Sequence, residues 1–574
     1  MINTTAADDM KESIMKATNN NAARNHNAAT NHYLASLFFQ LFACALLVLF
    51  TSATVLAADP AKIFADDGTR RAMFGFQIDL SGDGNTVVVG APKNDPNSPP
   101  GEAYVFTNRD GWKQVATLTA SDRAKQDLFG WSVSISGDGQ TVVVGAPGIK
   151  GNKNEEYAGA AYVFAAQGGW KQVAKLTSSN PQQNAKLGTS VSILGPASGT
   201  QYVVVGAPGV DENKGAAYLF VSPPKGAWES ANENYRLIVS NRKQGDKLGW
   251  AASFDRSGDQ GLVVSAWGLA SGAYKAYVFL PPREQNGWQH TQNGDKTEVA
   301  TLVPKDSKNA PKFGVSVSFS GSTVIVGAAD EPGFGSTKGA AYVFLQPNGG
   351  WEQGQTYNET AVLSAKDGKT KDCLGWSVST NGYQVIAGAG GKGGETGAAY
   401  LFNRTDTGWS QSREITGPAG DNALFGWSVS ISATASDPVL GVGALYANGK
   451  VNSSGAAFIF AKPPKEPGTK LDQRTSPDSG VSGVSYLSVS GSEFPLGNIN
   501  PGNVVVELAT ACQKDVLATT SAVSVVSSAG DGRLVSFLLS DGLSSGRYYV
   551  SISDSAAGDA NFESSNCSEV NVSH

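Results

Sequence analysis

A recurring turn, Ser136-Gly137-Asp138-Gly139, combines glycines with an acid, as phosphate-binding and calcium-binding loops do. A phosphate loop needs a Lys-Ser or Lys-Thr pair and a helix, and neither follows this turn. Calcium takes about six to eight oxygen ligands, whereas the best-supplied turns pair Asp79 with Asp83 and Asp255 with Asp259. Asp-Gly between two apolar runs is a strong hairpin signal, because glycine accepts positive φ. The sequence therefore predicts a plain turn, with no metal and no cofactor.

Composition and charge exclude further kinds of chemistry. The 574 residues carry a net charge of −6, which argues against nucleic acid as a partner. Of the four histidines, only His290 lies well inside the expected folded body, so zinc sites and Ser-His-Asp triads are disfavoured. The cysteines show no Cys-x-x-Cys spacing. With no convergent acids, bases or nucleophiles, we predict no catalytic residues and a protein that is not an enzyme.

One pattern recurs seven times along the chain at spacings of 51 to 65 residues. Its first run, F-G-x-S-V-S, alternates like a strand with two different faces, and its second, T-V-V-V-G-A-P, is continuously apolar like a strand buried on both. The runs G-A-A-Y-V-F and W-x-x-x-A-x-L follow in most copies. Four short β-type runs in each of seven copies predict an all-β fold, a seven-bladed β-propeller over residues 59–461. The copies begin at Phe74, Phe129, Leu187, Leu248, Phe313, Leu374 and Phe425.

The last copy lacks its Trp run, and the missing piece lies before the first copy. Residues 60–75 align without a gap on residues 115–130, at an offset of 55. We therefore predict that Ala61–Ala65 is the outer strand of the last blade, which closes the ring and leaves no unpaired seam. The recurring Trp side chains, among them Trp112 and Trp170, are interpreted as blade packing rather than as a sugar-binding platform.

The Phe-Gly openings and the Gly-Ala-Pro segments, such as Gly145-Ala146-Pro147, resemble FG-GAP repeats. The resemblance covers roughly residues 60–460. It implies a propeller like that at the N-terminus of integrin α subunits, and it is closer to the FG-GAP repeats of secreted microbial proteins. Integrin repeats often hold calcium in an acid-rich hairpin. The equivalent turns here lack most of those acids, so calcium binding does not carry over.

Residues 1–32 are polar and are expected to be a disordered leader. Residues 33–58 contain a nearly unbroken apolar run followed by small residues, which predicts either a cleaved signal peptide or an uncleaved signal anchor. Both alternatives export the rest of the chain, so we expect a secreted or cell-surface protein. The membrane would be a partner only through an uncleaved anchor.

The C-terminal part of the chain has a different pattern. Residues 462–483 are rich in Pro, Ser and charge and are interpreted as a linker. Residues 484–574 alternate in four β-type runs, which predicts a small immunoglobulin-like (IPT-like) β-sandwich. Cys512 and Cys567 both lie in it, and an exported pair predicts a disulfide. Cys373 stands at a core position of the repeat and is interpreted as a core thiol.

Five Asn-x-Ser/Thr sequons lie in the exported part and would be glycosylation sites in a eukaryotic source. They are Asn358, Asn403, Asn452, Asn566 and Asn571.

Two classes of function fit these features. The first is a non-enzymatic binding or adhesion protein that meets a protein or glycan ligand with the face carrying its longer loops (92–100, 147–158, 329–338 and 445–454). The alternative is an exported polysaccharide-active enzyme on the same scaffold. The scarcity of acid–base residues favours binding. The residues that contact the ligand, and the ligand itself, are not identified by the sequence.

Overall fold

The computed structural model describes the chain from Pro60 to Phe460 and the strands of a C-terminal unit. Of the C-terminal unit, only the backbone pairing of residues 470–471, 474–481, 486–492, 504–509, 516–527, 533–538, 546–554 and 568–573 is described. Within the first range the description omits residues 70, 94–98, 110, 152–155, 224–227, 259–260, 269–273, 283–286, 289–293, 307–309, 311, 333–335, 406–407, 418–423 and 435–437. The predicted leader and the signal or anchor segment lie outside the described residues.

Residues 60–460 form seven β-sheets, each built on four antiparallel strands, and in six of them these strands follow in sequence order from the centre outwards. The first strand of the chain, β1 (Ala61–Ile63), belongs to the last sheet. The blades contain β2 (Gln77–Leu80), β3 (Thr86–Ala91), β4 (Glu102–Asn108) and β5 (Trp112–Leu118) in blade 1; β6 (Ser132–Ile135), β7 (Thr141–Ala146), β8 (Ala160–Ala165) and β9 (Lys171–Thr177) in blade 2; β10 (Ser190–Leu194), β11 (Tyr202–Ala207), β12 (Ala216–Val221) and β14 (Tyr235–Ile238) in blade 3; β15 (Leu248–Phe254), β16 (Leu262–Trp267), β17 (Tyr274–Phe279) and β19 (Ala300–Val303) in blade 4; β20 (Phe313–Ser320), β21 (Thr323–Ala328), β22 (Ala340–Leu345) and β24 (Ala361–Leu363) in blade 5; β25 (Val378–Thr380), β26 (Gln384–Ala389), β27 (Ala398–Thr405) and β28 (Gly408–Ile415) in blade 6; and β29 (Phe425–Ile431), β30 (Leu440–Ala444) and β31 (Ala456–Phe460) in blade 7.

The chain is therefore an all-β, seven-bladed β-propeller, and the predicted ring closure is confirmed. Strand β1 pairs antiparallel with β31, with Ala61 opposite Ile459 and Ile63 opposite Ala457. It is shorter than the predicted strand, which extended to Ala65. The hydrophobic core lies between successive blades: the apolar residues of β3–β5 pack with those of β6–β8, and the same holds around the ring. The second strand of each blade is buried on both faces, as its apolar run predicted.

Three blades receive a fifth, parallel strand from the next blade in the chain. These strands are β13 (Ala231–Asn232) on β9, β18 (Asp295–Thr297) on β14 and β23 (Gln355–Asn358) on β19. Two four-residue turns that hydrogen-bond like helices, α1 (Val210–Asn213) and α2 (Lys392–Glu395), connect the second and third strands of blades 3 and 6. Within the described residues, no helix is long and apolar enough to cross a membrane.

Two sets of glycines bring adjacent blades into backbone contact. The Phe/Leu-Gly glycine adopts φ between +90° and +95° in all seven blades, a region that favours glycine. The Gly-Ala-Pro glycine packs against the carbonyl oxygen of that residue in the next blade. A Cβ on Gly145, for example, would lie 2.1 Å from the Gly188 oxygen, and the six blades that keep this glycine give distances of 1.9 to 2.2 Å. The motif is therefore a steric requirement of the blade interface.

The alternating residues of the innermost strands form a closed ring of hydrogen bonds around the central channel. In each blade the second polar residue of F-G-x-S-V-S accepts a backbone N–H from the next blade, at 3.0 to 3.3 Å. The predicted two-faced strand is thus buried on both faces, because its serine side is satisfied by the neighbouring blade. The seven acceptors are Asp79, Ser134, Ser192, Ser253, Ser318, Ser379 and Ser430.

Eight further strands of the C-terminal unit are described. They are β32 (Lys470–Leu471), β33 (Arg474–Val481), β34 (Tyr486–Ser492), β35 (Val504–Ala509), β36 (Val516–Ser527), β37 (Arg533–Leu538), β38 (Gly546–Asp554) and β39 (Ser568–Ser573). The prediction of a linker over 462–483 is wrong for β32 and β33, because these polar strands pair with β34 and β39. Additional pairing of β34 with β37 joins the two halves of the sheet. Its assignment to the immunoglobulin-like class stays a prediction.

The glycine contact gives a first test. Replacing Gly145 with Ala places a methyl group against the Gly188 oxygen and the Ser132 hydroxyl, at 2.1 and 2.2 Å. Because both neighbours are held in the blade interface, we expect a loss of about 1–3 kcal/mol in the free energy of unfolding. Urea denaturation followed by Trp fluorescence measures it. The matched control is Gly137→Ala in the same blade, where a Cβ meets no atom within 4 Å. Equal effects of the two substitutions would contradict the interface explanation.

Candidate functional site

The propeller has one face of tight turns and one face of longer connections. Each innermost strand begins at the face that carries the second-to-third-strand loops and the inter-blade loops, which we call the loop face. The Phe/Leu-Gly pairs lie at this end, and the residue that follows each pair lines the mouth of the central channel. The mouth is a recess of about 180 Å³. All seven blades contribute this residue: Phe76, Trp131, Thr189, Trp250, Val315, Trp376 and Trp427.

Four of these side chains form a continuous aromatic arc: Trp376, Trp427, Phe76 and Trp131, from blades 6, 7, 1 and 2. The ring centroids are 5.4 Å apart for Trp376 and Trp427, 5.8 Å for Trp427 and Phe76, and 4.6 Å for Phe76 and Trp131. Apolar neighbours support the arc from the loops, among them Leu445. The rings pack on one another and form an apolar surface in which Trp427 is buried and the other three side chains are partly exposed.

The opposite side of the mouth is different in chemistry. There Trp250 stacks on Trp267, with ring centroids 4.3 Å apart. The ammonium nitrogen of Lys247 lies 5.9 Å from the Trp250 ring centroid, and that of Lys312 lies 5.5 Å from the Trp267 ring centroid. The Trp267 indole N–H donates to the Lys312 carbonyl oxygen at 3.1 Å. We call these four residues the lysine–tryptophan cluster.

The residue before each Phe/Leu-Gly pair also has a shared geometry. All seven adopt φ between +55° and +64°, although none is glycine. Lys186, Lys247 and Lys312 occupy this position in three successive blades. Burial and the charges of the two neighbouring lysines lower the pKa of Lys247. The remaining four are apolar or a thiol: Met73, Leu128, Cys373 and Leu424. The rim of the mouth is therefore cationic over blades 3–5 and apolar over the others.

The other end of the channel is crossed by an ion pair. Arg256, in the first hairpin of blade 4, reaches Asp79 of blade 1 and donates to the Ile431 carbonyl oxygen of blade 7 at 3.1 Å. Asp79 is 6% exposed and also accepts the hydroxyl protons of Ser134 and Ser430, each at 3.1 Å. The channel is therefore spanned by an ion pair at the end opposite the mouth.

The hairpin acids have a structural role. Asp83 accepts hydrogen bonds from the Ser81 hydroxyl, at 2.5 Å, and from the Asn85 backbone N–H, at 2.9 Å. Burial raises the pKa of Asp83, but these bonds outweigh it and hold the pKa below its ordinary value. Asp138 makes the same contact with Ser136, and the glycine after each acid has positive φ. The prediction of a turn is confirmed.

The expectation that the protein binds no metal stays a prediction. Within the part of the chain that the structure describes, no group of three or more His, Cys, Asp and Glu residues could hold an ion. The other predicted pair of acids includes Asp259, which lies outside the described residues, as does His290.

Addition of EDTA tests the metal prediction. The oxygens of Asp83 and Asp138 already accept hydrogen bonds within their own turns, so we expect no tight calcium site there. The melting temperature of the full chain should be the same with EDTA and with millimolar calcium, since only a tightly bound ion shifts stability by mass action. A difference of more than about 5 °C would show a structural calcium site.

The remaining predicted residues are distributed away from the channel mouth. Cys373 is a buried thiol, as predicted, and burial with the charges of Asp330 and Asp372 raises its pKa to about 11. Three of the recurring Trp side chains, Trp228, Trp288 and Trp351, are buried, and Trp112, Trp170 and Trp409 pack against the core, which confirms their packing role. No binding role is assigned to them.

The sequons and the predicted disulfide are only partly described. Asn358 and Asn452 are exposed, whereas the Asn403 side-chain oxygen accepts from Gln384 and Ser412, both at 3.2 Å. For Asn571 only the backbone is described, in β39. Cys512, Cys567 and Asn566 lie outside the described residues. Disulfide formation and glycosylation stay predictions.

Five segments of the chain match the profile of a known repeat family. The profile described as "FG-GAP repeat" matches residues 58–106, 112–164, 170–220, 297–344 and 357–402. The chain contains FG-GAP repeats. Each match begins near the outer strand of one blade and covers the inner strands of the next. The FG-GAP matches omit the three inner strands of blades 4 and 7.

Individual proteins and solved structures are also similar to parts of the chain. Human integrin alpha-X is 31% identical over 146 residues, which are 24% of this FG-GAP chain and 12% of that protein. The chain thus spans a small part of that relative. Solved structures that resemble it include the plexin A4 extracellular region (TM-score 0.33, 7% identity, 90% of this chain and 67% of that one). Another is the β-propeller domain of the Trilobed protease from Pyrococcus furiosus (TM-score 0.32, 12% identity, 67% and 94%).

Two features of the mouth were not predicted from the sequence. The aromatic residue after Phe/Leu-Gly recurs in five of seven copies, and this recurrence was the signal available. Trp267 stands where other FG-GAP copies have Pro147 or Pro208, and this departure from the repeat was also visible. Neither signal says that the side chains converge, because that depends on the closed ring.

Proposed function

We propose that this chain is an exported, non-enzymatic binding or adhesion protein, which meets an extracellular protein or glycan with the loop face of its propeller. The observation that supports the proposal most is the aromatic-lined recess at the channel mouth. Pockets lined by aromatic side chains with a few polar groups are typical ligand sites. The FG-GAP repeats and the similarity to an integrin α subunit support a binding scaffold.

The non-enzymatic part of the proposal rests on the side chains available. Cys373 is a poor nucleophile, because it is buried and its pKa is raised to about 11. Asp79 is engaged by Arg256 and two serines, so it is not free to act as an acid or base at the recess. The alternative, an exported polysaccharide-active enzyme, predicts new reducing ends when the protein is incubated with polysaccharides.

Substitution of an aromatic residue at the mouth tests the binding face. The full chain would be tested on a glycan array and in pull-downs from cell-surface extract, and its strongest ligand would be titrated. We expect Trp131→Ala to weaken binding by about tenfold or more, as truncation of a central aromatic contact does. The control is Val173→Ala in β9 of the same blade, an exposed outer-strand residue. Equal affinities of wild type and both variants would place the ligand elsewhere.

Export is a second part of the proposal and has its own test. The apolar run within residues 33–58 supports entry into a secretory pathway. A reporter that is active only outside the cytosol, fused after His574, should be active. Deleting residues 33–58 should abolish that activity while the protein still accumulates. Reporter activity that survives the deletion, or a fusion active only in the cytosol, would contradict this route of export.

A further inference from the structure

Blade 4 departs from the repeat at the positions that build the channel mouth. Ser265 replaces the Gly-Ala-Pro glycine and Trp267 replaces the proline. In this blade β16 extends one residue further than the equivalent strands, and Trp267 pairs with Tyr274. The three inner strands of this blade also lie outside the FG-GAP matches. Blade 4 therefore presents a second indole, that of Trp267, at the loop face.

The lysine–tryptophan cluster has a fixed order. The Trp250 and Trp267 rings stack on each other with an interplanar angle of 31°, and one ammonium group lies over each ring. The hydrogen bond from the Trp267 indole to the Lys312 carbonyl oxygen fixes one ring. Cation–π contacts of this kind restrict where a flexible lysine holds its charge. Each ring of the stacked pair thus has one ammonium group beside it.

These charges lack full neutralisation by the protein. Among the described residues, Lys312 is the one rim lysine of Lys186, Lys247 and Lys312 with a carboxylate oxygen within 4.0 Å, that of Asp330 at 3.8 Å. The whole chain carries a net charge of −6, so this local cationic rim stands against an acidic background. Because the three lysines occupy one position in successive blades, they form an arc of like charges along the mouth.

We propose that the cationic arc and the lysine–tryptophan cluster bind the acidic sugar units of a polysaccharide. The ammonium groups meet the carboxylates of successive units, while the aromatic residues around the mouth contact the apolar parts of the sugar rings. This inference rests on the proposed function, because it assigns a ligand class to the same face.

One observation favours a polysaccharide over an acidic peptide. A bound peptide would use main-chain hydrogen bonds to a sheet edge. On the channel-facing strands here, the N–H groups of Phe254 and Phe319 already bond to serines of the preceding blades.

The test uses the full chain and three probes: polygalacturonate, neutral dextran and poly-glutamate. We expect wild-type protein to bind polygalacturonate, to bind dextran undetectably and to bind poly-glutamate more weakly. The double variant Lys247→Gln, Lys312→Gln should lose about tenfold or more in affinity for polygalacturonate, and added salt should weaken wild-type binding, since salt screens exposed charges. The matched control, Lys113→Gln with Lys171→Gln, makes the same change in net charge on exposed outer strands. Melting temperatures of both variants confirm folding.

Each result decides the proposal. Equal losses of affinity in the two double variants would show an effect of overall charge alone and would overturn the proposal. Tight binding of polygalacturonate by the Lys247→Gln, Lys312→Gln variant would overturn it as well. Poly-glutamate binding as tight as that of polygalacturonate would replace the polysaccharide with an acidic peptide. If wild type ignores polygalacturonate but binds another ligand that Trp131→Ala weakens, the inference fails and the proposed function stands.

Discussion

The close approach of two glycines at each blade interface is the constraint on which this propeller depends. The Gly-Ala-Pro glycine of one blade leaves room for the carbonyl oxygen of the Phe/Leu-Gly glycine of the next, at distances that no side chain tolerates. In four blades a serine hydroxyl donates to this same oxygen, for example Ser132 to Gly188 at 2.8 Å. The buried carbonyl is thereby satisfied, and the apolar strands behind it can pack tightly.

This constraint separates the residues that must recur from those that are free to change. The glycines and the serines of the innermost strand recur because they touch the adjacent blade. The residue after Phe/Leu-Gly touches the channel mouth instead, and it is Phe, Trp, Thr or Val in different blades. The residue before the pair likewise changes from leucine to lysine while its positive φ is kept. Variation at these two positions changes the chemistry of the mouth without disturbing the interfaces that support it.

Features that repeat along the chain could be predicted from the sequence, whereas contacts that depend on the closed ring could not. The strand runs, the turns at Asp83 and Asp138 and the closing strand near Ala61 were predictable, because each depends on local patterns or on the comparison of one repeat with another. The channel contacts were not, since Arg256 and Asp79 are 177 residues apart and meet only across the closed ring. The strand β33 was missed because its sequence is polar and its pairing with β39 is distant in the chain.

Blade 4 shows how a repeat can change at its interface and gain a surface. Its Ala251 lacks the hydroxyl that other blades use, and Ser265 fills the place of the small glycine. The Ser265 hydroxyl instead accepts the Ala251 N–H within the same blade, at 3.1 Å. A Cβ on Gly314 would lie 3.3 Å from its nearest atoms, whereas a Cβ on the equivalent glycines of the other six blades would lie 2.1 to 2.6 Å from theirs. With that contact loosened, the same blade supplies Trp267 to the mouth and Arg256 to the far end of the channel. Blade 4, which lacks the Gly-Ala-Pro glycine, is therefore also the blade that supplies Lys247 to the mouth and Arg256 to the far end of the channel.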